Sequence, residues 1–318
     1  SDFDPKGKSD GEVMMFCQSF MTELYRHIGQ FLDIPAGDTG VGAREIGYMY
    51  GQYKRICNEF TGAFTSKGIS YGGSLVRTEA TGYGLCYFTQ EMLKGAGRGF
   101  RGSDVVISGS GNVAVFACQK AAELGAKVVA MSDSDGFVHD PGGIRLDVVR
   151  QIKEKERGRI SLYADRVRGS TYKAGSGGIW SVPCSIALPC GTQNEIGLPE
   201  ARELVRGGAV ALAEGANMPT KPEAIEYLMG EGVLFGPGKA ANAGGVTTSG
   251  LEMSQNSQRV SWTFDEVDRR LSEIMVSIHA SIKSAAEDYG KPGNLAAGAN
   301  IAGFLKVAEA MKAQGVAY

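Results

Sequence analysis

Apolar side chains return along this chain with two different periods. From Ser9 to His27, Val13, Phe16, Phe20 and Leu24 recur every three or four residues, Ser9 and Glu12 have the spacing of a capping box, and Gly29 follows. That pattern predicts a helix buried along those four positions. Ile34 to Gly42 is too rich in glycine for a helix and too irregular for a plain strand. Helical composition returns from Ala43 to Tyr53, Tyr71-Gly72-Gly73-Ser74 breaks the chain, and Thr78 to Leu93 resumes a helix. At Ser103 the period changes. Val105-Val106-Ile107 is a continuous apolar run, followed by Gly109-Ser110-Gly111, a helix through Leu124 closed by Gly125, and a second run from Lys127 to Met131. Strand, glycine turn, helix and strand in that order make a βαβ unit. Further strands are predicted at 185–188, 209–213 and 233–235, with helices at 199–205 and 222–229 between them. Such alternation predicts a mostly parallel sheet covered on both faces. The last 70 residues read as helical: Thr263 and Glu266 make another capping box, Val267, Leu271, Ile274, Ile278 and Ile282 share a face, Gly290 closes it, and a last helix runs from Ile301 to Ala313.

Composition narrows the class. The chain has 318 residues, 33 Lys+Arg against 35 Asp+Glu, a net charge of −2 and 43% hydrophobic residues. This is enough chain for two domains and too apolar for wholesale disorder. Glycine is the outlier with 46 copies and no collagen period, so many tight backbone turns are expected. Near-neutral charge argues against a nucleic-acid partner. The basic stretch Lys153 to Arg168 is interrupted by Glu154, Glu156 and Asp165 and reads as a solvated helix face. No stretch has the roughly 18 uncharged apolar residues of a membrane span, so no membrane partner is expected. Ser1 to Asp10 is polar and charged, unlike a signal peptide, and the chain opens without a methionine, as the remainder of something longer would. The six cysteines hold no C-x-x-C pair, and Cys17, Cys86 and Cys118 fall in apolar helical patterns, which suits a reduced, cytoplasmic protein. His27, His139 and His279 stand apart from one another and from the cysteines, so no metal site is expected and acid–base chemistry falls to other groups.

Three groups of residues suggest chemistry. Gly109-x-Gly111-x-x-Ala114 follows a strand and opens a helix, the setting in which a glycine fingerprint binds a dinucleotide. The first glycine makes the turn, the second lets backbone approach the pyrophosphate, and the small third residue permits close packing. After the second strand stands Ser132-Asp133-Ser134-Asp135. An acid there suits the ribose 2′-hydroxyl of NAD, whereas hydroxyl and basic groups suit a 2′-phosphate, with Lys153 or Lys155 available for charge. The balance favours NADP, and Asp133 leaves NAD open. Asp38, in Pro35-Ala36-Gly37-Asp38, is either a turn former or a carboxylate whose proton affinity a dry cleft raises for acid–base work. Asn217, Asn242 and Ser249 sit in glycine-rich segments, and the two asparagines follow strand runs, at the sheet edge where ligands of open α/β sheets bind.

Read together, the motifs are more specific. Phe3-Asp4-Pro5-x-Gly7-Lys8-Ser9-Asp10, Pro35-Ala36-Gly37-Asp38-x-Gly40-Val41-Gly42-x-Arg44-Glu45, Gly72-Gly73-Ser74-Leu75-x-Arg77-x-Glu79-Ala80-Thr81-Gly82-Tyr83-Gly84, Glu214-x-Ala216-Asn217-Met218-Pro219-Thr220 and Asn242-Ala243-Gly244-Gly245-Val246-x-x-Ser249-Gly250-x-Glu252-Met253-Ser254-Gln255-Asn256 closely resemble bacterial-type hexameric glutamate dehydrogenases, of the Glu/Leu/Phe/Val dehydrogenase family. The resemblance implies an α/β fold: a Rossmann-like doubly wound sheet, part of a second α/β substrate domain, and C-terminal helices. It divides the chain into a partial substrate domain (1–74), a dinucleotide-binding domain with helical extension (75–290) and a C-terminal helix packing back on the substrate domain (291–318). The implied reaction is reversible oxidative deamination of L-glutamate to 2-oxoglutarate and ammonia with NADP or NAD, in a homo-oligomer that is a hexamer in the intact family. Asp38 matches the acid–base aspartate. Ala36 and Ser249 match substrate-pocket positions, Ser249 beside the distal carboxylate. Arg77 and Thr81 match positions near the nicotinamide. Gly109, Gly111, Asn112 and Val113 match the pyrophosphate turn, Ser132, Asp133 and Ser134 the ribose-selecting loop, and Asn217 and Asn242 the surroundings of the nicotinamide ribose and amide. Chemistry agrees: hydride leaves the substrate Cα only when the amine is neutral, so a base is needed.

The resemblance also implies a departure. The family's N-terminal segment, which carries a catalytic lysine in Gly-Gly-x-Lys-Gly-Gly and two lysines for the substrate carboxylates, has no counterpart before Ser1. Carboxylates without those ammonium partners are poorly held. The 318 residues alone are therefore expected to bind dinucleotide without turnover. Two readings follow: an enzyme, or a nucleotide-binding fragment. A leucine, phenylalanine or valine dehydrogenase is a third, against which Ser249 speaks.

Overall fold

The computed structural model describes residues 2–38 and 40–315; Ser1 where the chain opens, Thr39 of the 34–42 segment and residues 316–318 at the end of the last span lie outside the described residues. Strands β1 (Asp104–Ser108), β2 (Lys127–Ser132), β3 (Gly136–His139), β4 (Thr171–Ala174), β5 (Ile186–Pro189), β6 (Ala211–Ala213) and β7 (Leu234–Gly236) form one sheet in the order β4-β3-β2-β1-β5-β6-β7. Its helices are α1 (Asp10–Leu24), α2 (Ala43–Cys57), α3 (Ala80–Lys94), α4 (Asn112–Glu123), α5 (Leu146–Arg150), α6 (Leu162–Arg166), α7 (Leu198–Arg206), α8 (Pro222–Gly230), α9 (Gly238–Ala241), α10 (Gly244–Gln258), α11 (Phe264–Asp288) and α12 (Leu295–Gln314). The contacts fall into two units, Ser1–Thr78 with Val246–Arg270, and Glu79–Gly245 with Leu271–Tyr318.

The second unit contains the sheet. β1 pairs in parallel with β2 on one side and β5 on the other, and β6 and β7 continue in parallel beyond β5. β1 is thus the strand from which the chain turns first one way and then the other, and the crevice beyond the carboxyl ends of β1 and β5 is the place where such sheets take ligands. Val106, Val129, Trp180, Leu212, Leu228 and Phe235 form a single buried cluster. Each side chain of this size, once buried, contributes roughly 1.5–3 kcal/mol. α3 and α4 meet through Gly82, where an added Cβ would lie 2.5 Å from the Ala117 amide nitrogen. β3 and β4 pair antiparallel beside β2, an edge the hydrophobic periods did not predict. Its signal was present: Asp135-Gly136 between two apolar runs is a hairpin dipeptide.

The first unit is built on α1 and α2. The capping box at Ser9 and Glu12 is present, with Glu12 N–H donating to Ser9 Oγ at 3.3 Å. The expected stripe is covered only in part, however: Phe16 and Leu24 are half-buried against the core. Val13, Cys17 and Met21 are buried and Phe20 is 45% exposed, because the core of Ile46, Met49, Tyr53 and Phe64 meets the helix along the i, i+4, i+8 line. α10 starts five positions before the stretch read as helical, in Gly-Gly-Val-Thr-Thr, poor helix formers that tertiary packing overrides. α12 begins six positions before the predicted Ile301, at a cap in which Asn294 Oδ1 accepts the Ala297 N–H. No helix of the described residues is long and apolar enough to cross a membrane.

Candidate active site

A cleft of about 780 Å³ opens beyond β1 and β5 in the second unit, and the glycine fingerprint forms its floor. Gly109 has φ +84°, in the left-handed region, and a Cβ there would stand 3.0 Å from the Cys190 carbonyl oxygen. Only glycine meets both demands without strain. Gly111 is the N-cap of α4, in extended conformation with no side-chain cap, and a Cβ on it would meet nothing within 4 Å. Its missing side chain leaves space in the cleft itself, at a helix N-terminus where backbone donors and the dipole favour an anion. Asn112 and Val113 begin α4, Asn112 lines the cleft, and Ala114 is buried beneath. These fingerprint residues, read from sequence, lie together.

At the β2 end the structure separates the three residues Ser132, Asp133 and Ser134, expected from the resemblance to select the ribose. Ser132 is buried and its Oγ accepts the Gly109 N–H at 2.8 Å, so it pins the glycine turn. Asp133 is committed elsewhere. Its Oδ2 accepts the Ile160 N–H at 2.8 Å and Lys153 Nζ at 3.2 Å, and its Oδ1 accepts the Asp135 N–H at 3.1 Å. Burial alone would raise this carboxyl's pKa, but the donors from Ile160, Asp135 and Lys153 hold it below the ordinary value. Ser134 is exposed and accepts from Arg159 at 2.8 Å. Lys153 lies on a π-helical turn, Gln151–Lys155, and lines the cleft, as do Ser134 and Arg159. Lys155, offered with Lys153 as a source of charge, is exposed and absent from the lining. Arg159 was missed because it belonged to a stretch that reads as a solvated helix face.

Asn217 and Asn242 also meet, Asn242 Nδ2 donating to Asn217 Oδ1 at 2.8 Å. Glu214, just after β6, holds their two loops, its Oε1 accepting the Thr220 N–H at 3.2 Å and its Oε2 the Gly238 N–H at 2.7 Å. Burial raises its pKa and those amides oppose the rise. It was not among the sequence candidates.

In the first unit, Ala36 and Asp38 are exposed on a loop whose backbone turns back at once, Val41 N–H donating to Asp38 O at 2.8 Å. Ser249 lies on α10, only 5% exposed, and accepts from Thr65 Oγ1 at 3.2 Å. One turn on, Glu252 accepts from Lys67 Nζ at 2.7 Å and from the Ser66 N–H at 2.9 Å, and the side chains of this pair are 1% and 0% exposed. Lys67 Nζ also donates to the Phe64 carbonyl. Neither member was a sequence candidate; a lone lysine and a lone glutamate 185 positions apart give no local signal. Arg77 is largely buried, and desolvation lowers its pKa against the pull of Glu252. Thr81, in the first turn of α3, belongs to the second unit.

The sequence matches two families: Glutamate/Leucine/Phenylalanine/Valine dehydrogenase over residues 72–315, and Glu/Leu/Phe/Val dehydrogenase, dimerisation domain, over residues 1–55. It is 56% identical over 320 residues to the NADP-specific glutamate dehydrogenase of Haemophilus influenzae and 55% identical over 320 residues to that of Escherichia coli K12, covering 99% of this chain and 71% of each relative. Its fold is similar to the crystal structure of Plasmodium falciparum glutamate dehydrogenase, with a TM-score of 0.96 at 49% identity over 99% of this chain and 68% of that one. By sequence and by fold, the chain belongs to the glutamate/leucine/phenylalanine/valine dehydrogenase family.

Proposed function

We propose that the protein is a glutamate dehydrogenase that interconverts L-glutamate with 2-oxoglutarate and ammonia and uses NADP. The observation that carries the reading is 56% identity across 99% of the chain to a relative named as NADP-specific. The cleft supports the cofactor choice: Asp133 is already saturated by three donors, while Ser134, Arg159 and Lys153 line the same end. Those three are the groups to hold a 2′-phosphate, with the pyrophosphate on the α4 turn at Gly109 to Val113 and the nicotinamide end near Asn217, Asn242 and Thr81; Arg77 is assigned to the cofactor from its place in the matched motif alone. NADP, when bound, supplies the hydride acceptor.

The chain's own residues handle the protons and the substrate. Asp38 takes the proton that must leave the substrate ammonium before hydride departs, and later assists the water that attacks the iminium carbon. Ala36 and Ser249 line the substrate pocket. What supports these three assignments is their place in the matched motifs. The first 55 residues match a family described as a dimerisation domain, which supports a homo-oligomer, and the hexamer is the assembly proposed. Free cysteines throughout the described residues suit the cytoplasm. A polypeptide of these 318 residues alone, which contain no Gly-Gly-x-Lys-Gly-Gly run, is expected to bind nucleotide without glutamate turnover.

The test is oxidation of NADPH by the full-length protein with 2-oxoglutarate and ammonium, set against NADH and against the oxo acids of leucine, phenylalanine and valine. Activity confined to 2-oxoglutarate and favouring NADPH is expected. Equal or better rates with NADH would remove the cofactor choice, and a preference for an apolar oxo acid would remove the substrate.

A further inference from the structure

Glu195 has no part in the function proposed above, yet it stands on the wall of the same cleft. It follows β5, in the crevice between the carboxyl ends of β1 and β5. Its Oε1 accepts from Ser108 Oγ at 2.7 Å and from the Gly191 N–H at 3.3 Å, and the same Ser108 oxygen accepts the N–H groups of Cys190 and Gly191. Ser108 is wholly buried, so this network fixes the carboxyl against the cleft. Among the described residues no cation pairs with it: Lys153 is taken by Asp133 and Arg159 by Asp135. The other groups around it are the Thr192 N–H, the Cys190 thiol, which burial holds neutral, the N-terminal turn of α4 across the floor, and Glu154, a second carboxylate on the cleft lining, which is exposed and paired with Arg150 at 3.8 Å. An ionised carboxylate without a counter-charge repels an anion brought into the same partly desolvated space.

We infer that Glu195 is the proton-linked residue of the dinucleotide cleft: it carries a proton when a dinucleotide is bound, so that seating the pyrophosphate takes up a proton at this carboxyl. The inference rests on reading the cleft as a dinucleotide site. Burial pushes the free carboxyl up to about 7, against the donors from Ser108, Gly191 and Thr192, so it is partly ionised near neutrality before any ligand arrives. A bound anion raises it further. Affinity is then greatest below pH 7, and falls as pH rises through the free-protein value towards the bound one, by at most about tenfold per pH unit for a single group. The 2′-phosphate of NADPH gains charge with a pKa of about 6 and works in the opposite sense, so NADH, which lacks it, isolates the effect.

The experiment is calorimetric titration of the full-length protein with NADPH and with NADH between pH 6 and 8.5, in pairs of buffers with different ionisation heats, repeated on Glu195→Gln. For the wild type, NADH should weaken by about fivefold or more from pH 6.5 to 8.5, with about half a proton or more taken up near pH 7.5. Glu195→Gln should bind at every pH about as tightly as the wild type does at pH 6, with no uptake. An unchanged pH slope in Glu195→Gln overturns the inference. So does a uniform loss at all pH values, which would mark the ionised carboxylate as an acceptor for a ribose hydroxyl. Should Glu195→Gln fail to fold, the wild-type proton count decides, and an uptake below about 0.2 proton counts against it. Failure of either nucleotide to bind at any pH is a different result, because it removes the dinucleotide reading as well.

Discussion

The nucleotide cleft and the Asp38 region are built on different principles. Every residue of the cleft lies between Gly109 and Glu195, and the turns that form it lock one another through the Gly109–Ser132, Asp133–Ile160 and Ser108–Cys190 hydrogen bonds, which span 23, 27 and 82 positions. The other region joins segments 1–78 and 246–270, tied by Thr65 to Ser249, Lys67 to Glu252, Ser74 to Gln255 and Gly72 to Asn256, all more than 180 positions apart. One is a folding unit with its ligand groups built into the turns. The other keeps an exposed carboxylate on a loop held by Thr65 and Ser66, which are in turn tied to α10 from far along the chain. Removing a group should therefore have different consequences: lost affinity in the cleft, and a clean split between chemistry and stability in the other region.

The largest expected effect is on chemistry. Asp38→Asn should lower kcat by about 10²–10⁴-fold, while NADPH affinity is unchanged and urea stability stays within about 0.5 kcal/mol. Asparagine makes the same turn, so the turn-former reading predicts no kinetic loss at all; steady-state rates beside a urea melt decide between them. Next comes the support. Lys67→Met leaves Glu252 charged and buried without its partner, which should cost about 3–5 kcal/mol of stability. Lys67→Met with Glu252→Leu should recover most of it, because an apolar pair removes both desolvation penalties. A double variant no more stable than Lys67→Met would show that the ion pair is not what holds α10 to the 64–67 loop.

The contrast between the regions also explains what the sequence could and could not reveal. Gly109, Gly111, Ser132 and Asn112 were legible because a glycine turn between a strand and a helix has local rules for backbone shape and anion affinity. The asparagines were placed at the sheet edge, and their mutual hydrogen bond follows from that edge. Arg159 and Glu195 were illegible: each is an ordinary charged residue whose meaning comes from the cleft that folding places beside it. Lys67 and Glu252 were more hidden still, since only tertiary structure brings them together. Phe20 misled for a related reason. The 3.6-residue period defines a stripe, but the partner core decides which edge of the stripe is covered, and here it chose Cys17 and Met21.

Within the cleft, two glycines allow the comparison to be sharpened. Gly109→Ala must hold a side chain at φ +84° with its Cβ 3.0 Å from a carbonyl oxygen. It should cost about 1–2 kcal/mol of stability and displace the turn. Gly111→Val has room in the free protein and an ordinary φ of −82°, so its melt should barely move. The new side chain fills the cleft instead, and NADPH binding should weaken by more than about tenfold, or 1.4 kcal/mol. Fluorescence titration beside thermal melts separates the two. Equal stability losses would mean that Gly111 serves packing, and that the open space before α4 is not where phosphate sits.

The smallest effect is the most specific. Arg159 is more than half exposed and already shares its guanidinium between Asp135 at 3.0 Å and Ser134 at 2.8 Å, so water screens much of its charge. Arg159→Gln should weaken NADPH by about tenfold, the low end for a charge-assisted hydrogen bond to phosphate, and leave NADH unchanged. It should leave stability unchanged too, since Asp135 remains solvated. Lys153→Gln is the control that distinguishes selection from support. Its Nζ donates to Asp133 and to the Gly158 carbonyl, so removing it loosens the whole loop and should weaken both nucleotides. If Arg159→Gln weakened NADH as much as NADPH, the guanidinium would be holding the loop rather than reading the 2′-phosphate, and cofactor choice would fall to Ser134 and the geometry of the π-helical turn.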